Sequence, residues 1–151
     1  ITGKLLRTIS ELENKPELTV LMIQKEVSIR ACAKQGDMNL LAAATQIWAE
    51  PEILFTLSTE DFDPPPKVSS AVIKLESEIQ NLESEKIGNY YRLVHIIFKQ
   101  PRKTLYNNLR DGLDLPEEKI KKTMEDLKIE LKSRPQDLSI EQILSLSEKL
   151  S

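Results

Sequence analysis

The chain has 151 residues, of which 40% are apolar and 30% are charged, and its formal net charge is −3. This length supports one ordinary hydrophobic core or two small ones, and no run of about 18 apolar residues suggests a membrane span. The single cysteine, Cys32, excludes an internal disulfide framework and fits a reducing cytoplasm.

The first half of the chain alternates between helical and strand patterns. Residues 18–23 form a continuous apolar run, which predicts a strand buried on both faces of a sheet. Apolar spacing and chain breakers predict the remaining elements of this half. These are helices over about residues 2–12, 24–34 and 39–48, and strands over residues 52–57 and 68–75.

A polar, glutamate-rich segment divides the chain. Residues 77–86 have no hydrophobic period and are predicted to be a linker. Beyond it every predicted element is helical. A helix over about residues 87–100 is followed by a short one that ends at a Gly112 cap. Asp114 with Glu117, and Ser139 with Gln142, each predict a capping box. The predicted organisation is an α/β piece over residues 1–76, the linker, and a small helical domain over residues 87–151.

The most distinctive segment of the sequence is a proline-rich loop, FDPPPKVSSAV, at residues 62–72. Three successive prolines fix φ near −65° and predict a stiff, extended loop. Such a loop can present Phe62 as a rigid aromatic plate. The alternative is a proline-rich connector whose Phe62 folds back into the core, and composition alone leaves both open.

Three segments together resemble the KsgA-type rRNA adenine-N6 dimethyltransferases of the small ribosomal subunit. The proline loop matches the family pattern F-x-P-P-P-K-V-x-S-A-V. Residues 21–30, LMIQKEVSIR, are similar to a family segment of three hydrophobic residues followed by Q-K-E-V-x-x-R. Residues 98–105, FKQPRKTL, resemble F-x-x-R-R-K-T-L, with Pro101 in place of an arginine and one possible phosphate contact fewer. The likeness extends over nearly the whole chain.

The resemblance implies an α/β plus all-α fold. The first part would be the C-terminal half of a Rossmann-like methyltransferase sheet with three strands. The last strand, near residues 68–75, would run antiparallel and lie between residues 18–23 and 52–57. One edge of the strand at residues 18–23 would then be unpaired, and an exposed apolar edge invites pairing with another chain. We therefore expect a dimer or a segment swap.

The resemblance also implies a methyl transfer from S-adenosylmethionine to two adjacent adenines of small-subunit rRNA. The glycine-rich donor loop, the acidic ribose-binding residue and the N-L-P-Y motif of the family have no counterpart in this chain, which matches the family from just after that motif. We therefore expect an incomplete fragment that is inactive alone. In the longer protein, Phe62 would stack on the target adenine.

Several cations are candidate RNA contacts. Lys67 stands beside the proline loop. Lys25 and Arg30 either face RNA, as in the family, or form the polar side of a helix. Residues 89–110 contain basic residues and no Asp or Glu. Basic side chains interleaved with Tyr and Asn suit RNA, although a solvated helix face is the simpler reading. The candidates in this stretch are Arg92, Lys99, Arg102, Lys103, Tyr106 and Arg110, and His95 lies on the same predicted face as Arg92 and Lys99.

The leading interpretation is therefore a cytoplasmic rRNA adenine dimethyltransferase whose partner is small-subunit rRNA in an immature subunit, with no membrane partner. One rival is a non-catalytic RNA-binding or ribosome-assembly module, and another is a large-subunit rRNA dimethyltransferase that confers antibiotic resistance. The P-P-P-K-V and R-K-T-L forms favour the small-subunit type. One histidine and one cysteine predict no metal site.

Overall fold

The computed structural model describes residues 2–77 and 84–151. In chain order, the described elements are α1 Thr2–Ser10, β1 Leu18–Gln24, α2 Lys25–Ala31, α3 Leu40–Gln46, β2 Ala49–Leu57, β3 Ser70–Ser77, α4 Ser84–Ile97, α5 Leu105–Gly112, α6 Glu117–Asp126 and α7 Ile140–Leu150. Short 3₁₀ turns occupy Thr59–Asp61 and Pro135–Asp137. None of the described helices is long and apolar enough to cross a membrane.

The three strands form one antiparallel sheet in the order β1-β3-β2. Along β3, Ala71, Ile73 and Leu75 are fully buried and alternate with partly exposed residues. This alternation places one face of the central strand in the core, and α2 contacts all three strands. The predicted insertion of the last strand between the two earlier ones, in antiparallel direction, is confirmed.

The prediction that β1 is buried on both faces is wrong. Leu18, Val20 and Met22 are each more than half exposed, whereas Ile23 is buried. Successive side chains of a strand point to opposite faces, and in the described residues only one of these faces is covered. β1 is also an edge strand, because it pairs with β3 alone.

The chain folds into two compact units. The first contains the described residues of Ile1–Ala33 and Leu41–Gln80, and the second contains Lys34–Leu40 with the described residues of Asn81–Ser151. Segment 34–40 lies in the second unit, where the backbone N–H groups of Gly36 and Met38 both donate to the Gln136 carbonyl, at 2.8 and 3.2 Å. The predicted linker falls partly on residues 78–83, outside the described residues; β3 ends at Ser77 and α4 begins at Ser84.

The core of the second unit comes from apolar stripes on its helices. The predicted stripe of α4 is buried at Tyr90, Val94 and Ile97, and α4 contacts both α5 and α7. The other helices contribute fully buried residues at helical spacing. They are Leu105 and Leu109 from α5, Ile120 and Met124 from α6, and Ile143 and Leu146 from α7.

Of the two capping boxes predicted from the sequence, the one at α7 is present and the one at α6 is not. Ser139 and Gln142 form the predicted capping box of α7. The predicted box at Asp114 and Glu117 is wrong, because Pro116 is the N-cap of α6 and no side chain caps it. The Glu117 carboxylate instead accepts a hydrogen bond from the Tyr106 hydroxyl, at 2.5 Å.

α5 ends at Gly112, as predicted, although the C-cap residue is Leu113. A Cβ atom at Gly112 would overlap the side chain of Ile96 in α4. The β-branched Ile96 has little rotamer freedom with which to yield. The absence of a side chain at Gly112 is therefore what lets α5 approach α4 closely.

We expect Gly112→Ala to lower the free energy of unfolding by about 1–2 kcal/mol, because overpacking outweighs the better helix propensity of alanine. Gly88→Ala is the matched control in α4, since a Cβ there meets nothing within 4 Å; it should be neutral or stabilise by about 0.5–1 kcal/mol. Urea unfolding followed by circular dichroism measures both. Equal stabilities for the two variants would contradict the close approach of α5 to α4.

Candidate functional site

One end of the sheet collects several predicted site residues of the first unit. Gln24 and Leu57, which end β1 and β2, are both in register with Ser70 at the start of β3. The backbone N–H of Lys25 donates to the Ser69 carbonyl, at 3.0 Å. The first residue of α2 is thereby held against the end of the proline loop.

A capped turn fixes the chain just before Phe62. The Asp61 carboxylate accepts from the Ser58 backbone N–H at 2.7 Å, and the Ser58 hydroxyl accepts from the Glu60 N–H at 3.2 Å. Reciprocal bonds of this kind define a capping box. This capping box was not predicted from the sequence, although the spacing of Ser58 and Asp61 ahead of an aromatic residue was a usable signal.

Phe62 follows this turn in an extended conformation, with φ −128° and ψ 147°. The residue is half-buried, and residues 63–68 are exposed. The chain bends at residues 62–64 and has a cis peptide at Asp63–Pro64, so the loop is not the uniformly extended segment predicted. Since Phe62 is not sealed in the core, part of it remains open to contact from outside.

The predicted cations of the first unit do not form one cluster. Lys25 and Lys67 are exposed at the same end of the sheet as Phe62. Arg30 is also exposed, but it lies five residues after Lys25 in α2, about 140° around the helix. Lys25 and Lys67 therefore share the neighbourhood of the proline loop, and Arg30 points elsewhere.

In the second unit, one group of basic side chains is exposed and has no partner among the residues that the structure describes. Arg92, His95 and Lys99 lie at the predicted i, i+3 and i+7 positions, away from buried Val94 and Ile97. α4 ends at Ile97, so Lys99 belongs to the turn after it, as does exposed Arg102. Within the described ranges, Arg92, His95, Lys99 and Arg102 have no side-chain hydrogen bond or ion pair.

Lys103 and Arg110 are held differently, because Asp111 pairs with both. Its carboxylate lies 3.3 Å from the Lys103 Nζ, and it accepts from the Arg110 Nε and Nη2 at 3.0 and 2.9 Å. These bonds, chiefly those from Arg110, lower the pKa of Asp111. The basic stretch of residues 89–110 contains no acid only because it ends at Arg110, one residue before Asp111.

Tyr106 links α5 to α6. Its hydroxyl donates to Glu117, which raises the pKa of Tyr106 and lowers the pKa of Glu117. Two cations approach the ring, with the Arg110 Cζ at 5.9 Å and the Lys121 Nζ at 5.4 Å from its centroid. These distances suit cation–π contacts. The pairing of Glu117 with Tyr106 and Lys121 was not predicted from the sequence, although the i, i+4 spacing of Glu117 and Lys121 was a signal.

The residues present do not fit a methyl-donor site. A dinucleotide-like donor loop needs closely spaced glycines between a strand and a helix. The four glycines of this chain are Gly3 in α1, Gly36 in a turn with φ 102°, Gly88 in α4 and Gly112 in α5, and none of them follows a strand. Among the residues described, no three His, Cys, Asp or Glu side chains converge to hold a metal ion.

The whole chain is similar to one protein family. The family model described as ribosomal RNA adenine dimethylase matches residues 1–151. The chain is 35% identical over 150 residues to ribosomal RNA small subunit methyltransferase A of Desulfitobacterium hafniense, covering 98% of this chain and 54% of that protein. The same-named protein of Dehalococcoides mccartyi is 34% identical, with 94% and 49% covered. The chain thus spans about half the length of these relatives.

Solved structures share the fold. A dimethyladenosine transferase from Plasmodium falciparum superposes with a TM-score of 0.81 at 21% identity, over 99% of this chain and 64% of that one. The 23S rRNA methyltransferase ErmE superposes with a TM-score of 0.73 at 21% identity, over 99% and 61%. At these identities the likeness establishes the fold alone.

We expect Asp61→Asn to loosen the turn that positions Phe62, because a neutral amide is a weaker acceptor for the Ser58 N–H. The loss should be about 1 kcal/mol of local stability, or roughly fivefold faster amide exchange at residues 58–62. Hydrogen exchange measured residue by residue tests this. Asp63→Asn, two residues further along, is the matched control and should leave exchange unchanged. Unchanged exchange in both variants would show that the capping box does not hold the loop.

Proposed function

This chain belongs to the ribosomal RNA adenine dimethylase family, and we propose that it is the RNA-recognising part of an enzyme that methylates N6 of two adjacent adenines in small-subunit rRNA. S-adenosylmethionine would be the methyl donor. The observation that carries the proposal is the half-buried Phe62, which follows a capped turn in the loop whose end is bonded to the first residue of α2. The family match extends over the same residues.

Phe62 would hold the target adenine. A base must leave its stack before its amino group is accessible, which costs a few kcal/mol, and stacking on an aromatic ring returns about 1–3 kcal/mol. The adenine amino group is the nucleophile, so the chain supplies position, not an acid or a base. Lys67 and Lys25 would contact the phosphates that flank the extruded base, and Arg30 would contact RNA further along α2.

The second unit would bind the RNA backbone around the target. Exposed Arg92, Lys99 and Arg102 are unpaired in the described chain and offer charge to phosphates. Tyr106 and Arg110 of α5, and Lys103 just before this helix, would extend this surface. The partner would be rRNA of an immature small subunit, which would place the protein in the cytoplasm.

For this chain by itself we propose RNA binding without methyl transfer. The supporting observation is that its glycines do not form a donor loop, so S-adenosylmethionine would be held by residues that this chain does not contain. The alternative of a non-catalytic RNA-binding module therefore applies to this chain alone. The dimethyltransferase activity is proposed for the longer protein.

The central test uses the full chain and an RNA hairpin that carries two adjacent adenines, one replaced by fluorescent 2-aminopurine. We expect quenching on binding, and Phe62→Ala should weaken binding by roughly 5- to 150-fold, the loss of one stacked base. Phe62→Trp should bind nearly as the parent chain does. Labelled S-adenosylmethionine with immature small subunits should give no incorporation.

The control is Phe55→Ala, which removes an equally aromatic and more than half-exposed side chain from β2. It should leave both binding and quenching unchanged. Phe62→Leu keeps an apolar side chain without a π-face, and binding equal to that of the parent chain would contradict stacking. Incorporated label would refute the proposal that the donor site lies outside this chain.

We further propose that two copies of the isolated chain pair through β1. The outer edge of this strand has no partner in the described sheet, and Leu18, Val20 and Met22 are more than half exposed. Unpaired edges with apolar side chains template the addition of another strand. A second copy suits this edge, because antiparallel pairing of β1 with itself about a twofold axis brings the same three apolar side chains together.

Met22→Lys should shift this chain from dimer to monomer, since an edge lysine is charged and opposes strand addition. Light scattering coupled to gel filtration measures the mass. Leu131→Lys is the control, because Leu131 is similarly exposed in the second unit; this variant should remain dimeric. A monomeric mass for the unmodified chain in dilute solution would contradict pairing through β1.

A further inference from the structure

The lysines and arginines between residues 89 and 110 fall into two groups. Arg92, Lys99 and Arg102 have no anionic partner in the described residues, whereas Lys103 and Arg110 share one carboxylate, that of Asp111. Both groups come from one basic stretch of sequence. Their difference therefore arises from a single residue at the end of α5.

The position of Asp111 is unusual for an acid. α5 runs from Leu105 to Gly112, so Asp111 stands in the last turn, where the negative end of the helix dipole disfavours a carboxylate. Arg110, the adjacent residue, folds back to donate two hydrogen bonds to one oxygen, and the Lys103 ammonium approaches the other. Three donors from two cations converge on this one anion.

This arrangement has the chemistry of a phosphate site. A guanidinium that donates two bonds, together with an ammonium, is a common way to bind a phosphate oxygen pair. The three side chains are between 41% and 44% exposed. A phosphate can therefore reach the cations from solvent, and an exposed ion pair of this kind is easily exchanged.

We infer that Lys103 and Arg110 form a phosphate-binding site in which Asp111 is an internal anion that RNA must displace. This inference rests on the proposed RNA-binding function of the second unit. Arg92, Lys99 and Arg102 make the first phosphate contacts, because their charges are available. Lys103 and Arg110 contribute only when an RNA phosphate replaces the carboxylate, so Asp111 weakens binding to phosphates that are poorly placed.

The test measures binding of the full chain to the same RNA hairpin over a range of salt concentrations. Asp111→Asn should bind about three- to tenfold more tightly at low salt and steepen the plot of log affinity against log salt by roughly one, the contribution of one added phosphate contact. Arg110→Ala should have a small effect in the parent chain and a larger one in the Asp111→Asn background.

Asp126→Asn is the matched control, because it removes the same charge from an acid that pairs with Lys149, at 3.9 Å in the same unit. It should leave the salt dependence unchanged. Equal behaviour of the two Asp→Asn variants, or no effect of either, would overturn the inference. Circular dichroism verifies that each variant is folded.

Failure of the underlying function gives a different result. Combined substitution of Arg92, Lys99 and Arg102 by alanine should weaken binding and flatten the salt dependence by about two to three. If this variant binds RNA as the parent chain does, the second unit is not the RNA-binding surface and both proposals fall. If it binds weakly while Asp111→Asn resembles the parent, only the role of Asp111 is refuted.

Discussion

The insertion of β3 between β1 and β2 is the constraint on which the first unit depends. Because β3 pairs with both neighbours, its start at Ser70 is in register with the ends of both. The loop that leads into β3 must therefore finish beside the first residue of α2, and Phe62 and Lys67 lie in that loop. A register shift of one residue would turn Ala71, Ile73 and Leu75 out of the core, so burial of these side chains also fixes where the loop ends.

Local hydrogen bonds then hold the backbone on the N-terminal side of Phe62. The capping box of Ser58 and Asp61 fixes the chain before Phe62, and the sheet fixes it after Ser69. Under the proposed function, fixing both ends of the loop would reduce the ordering that base binding requires. For a stacking contact of a few kcal/mol, this matters, because ordering several loop residues on binding would offset the gain.

Charge in the second unit is organised by carboxylates as much as by cations. Asp111 pairs with Lys103 and Arg110, and Glu117 accepts a hydrogen bond from the Tyr106 hydroxyl. All three of these partners are RNA contacts predicted from the sequence. The net charge of −3 is thus compatible with an RNA-binding surface, since what a phosphate meets is the local pattern. Under the proposed function, both units would contribute to RNA recognition, and the donor site would lie outside this chain.

The sequence alone predicted the elements from local patterns, and the family resemblance carried by its motifs implied the order of the strands. Apolar spacing marks the strand of residues 18–23 and the stripe of α4, and the proline loop with the R-K-T-L segment identifies the family. Only the tertiary structure decided which faces are covered and which charges are paired. The exposure of Val20 depends on what packs against β1. The pairing of Arg110 depends on the Asp111 carboxylate, which also contacts Lys103. Side-chain exposure and charge pairing depend on neighbours that folding brings together, and hydrophobic periodicity along the chain does not predict those neighbours.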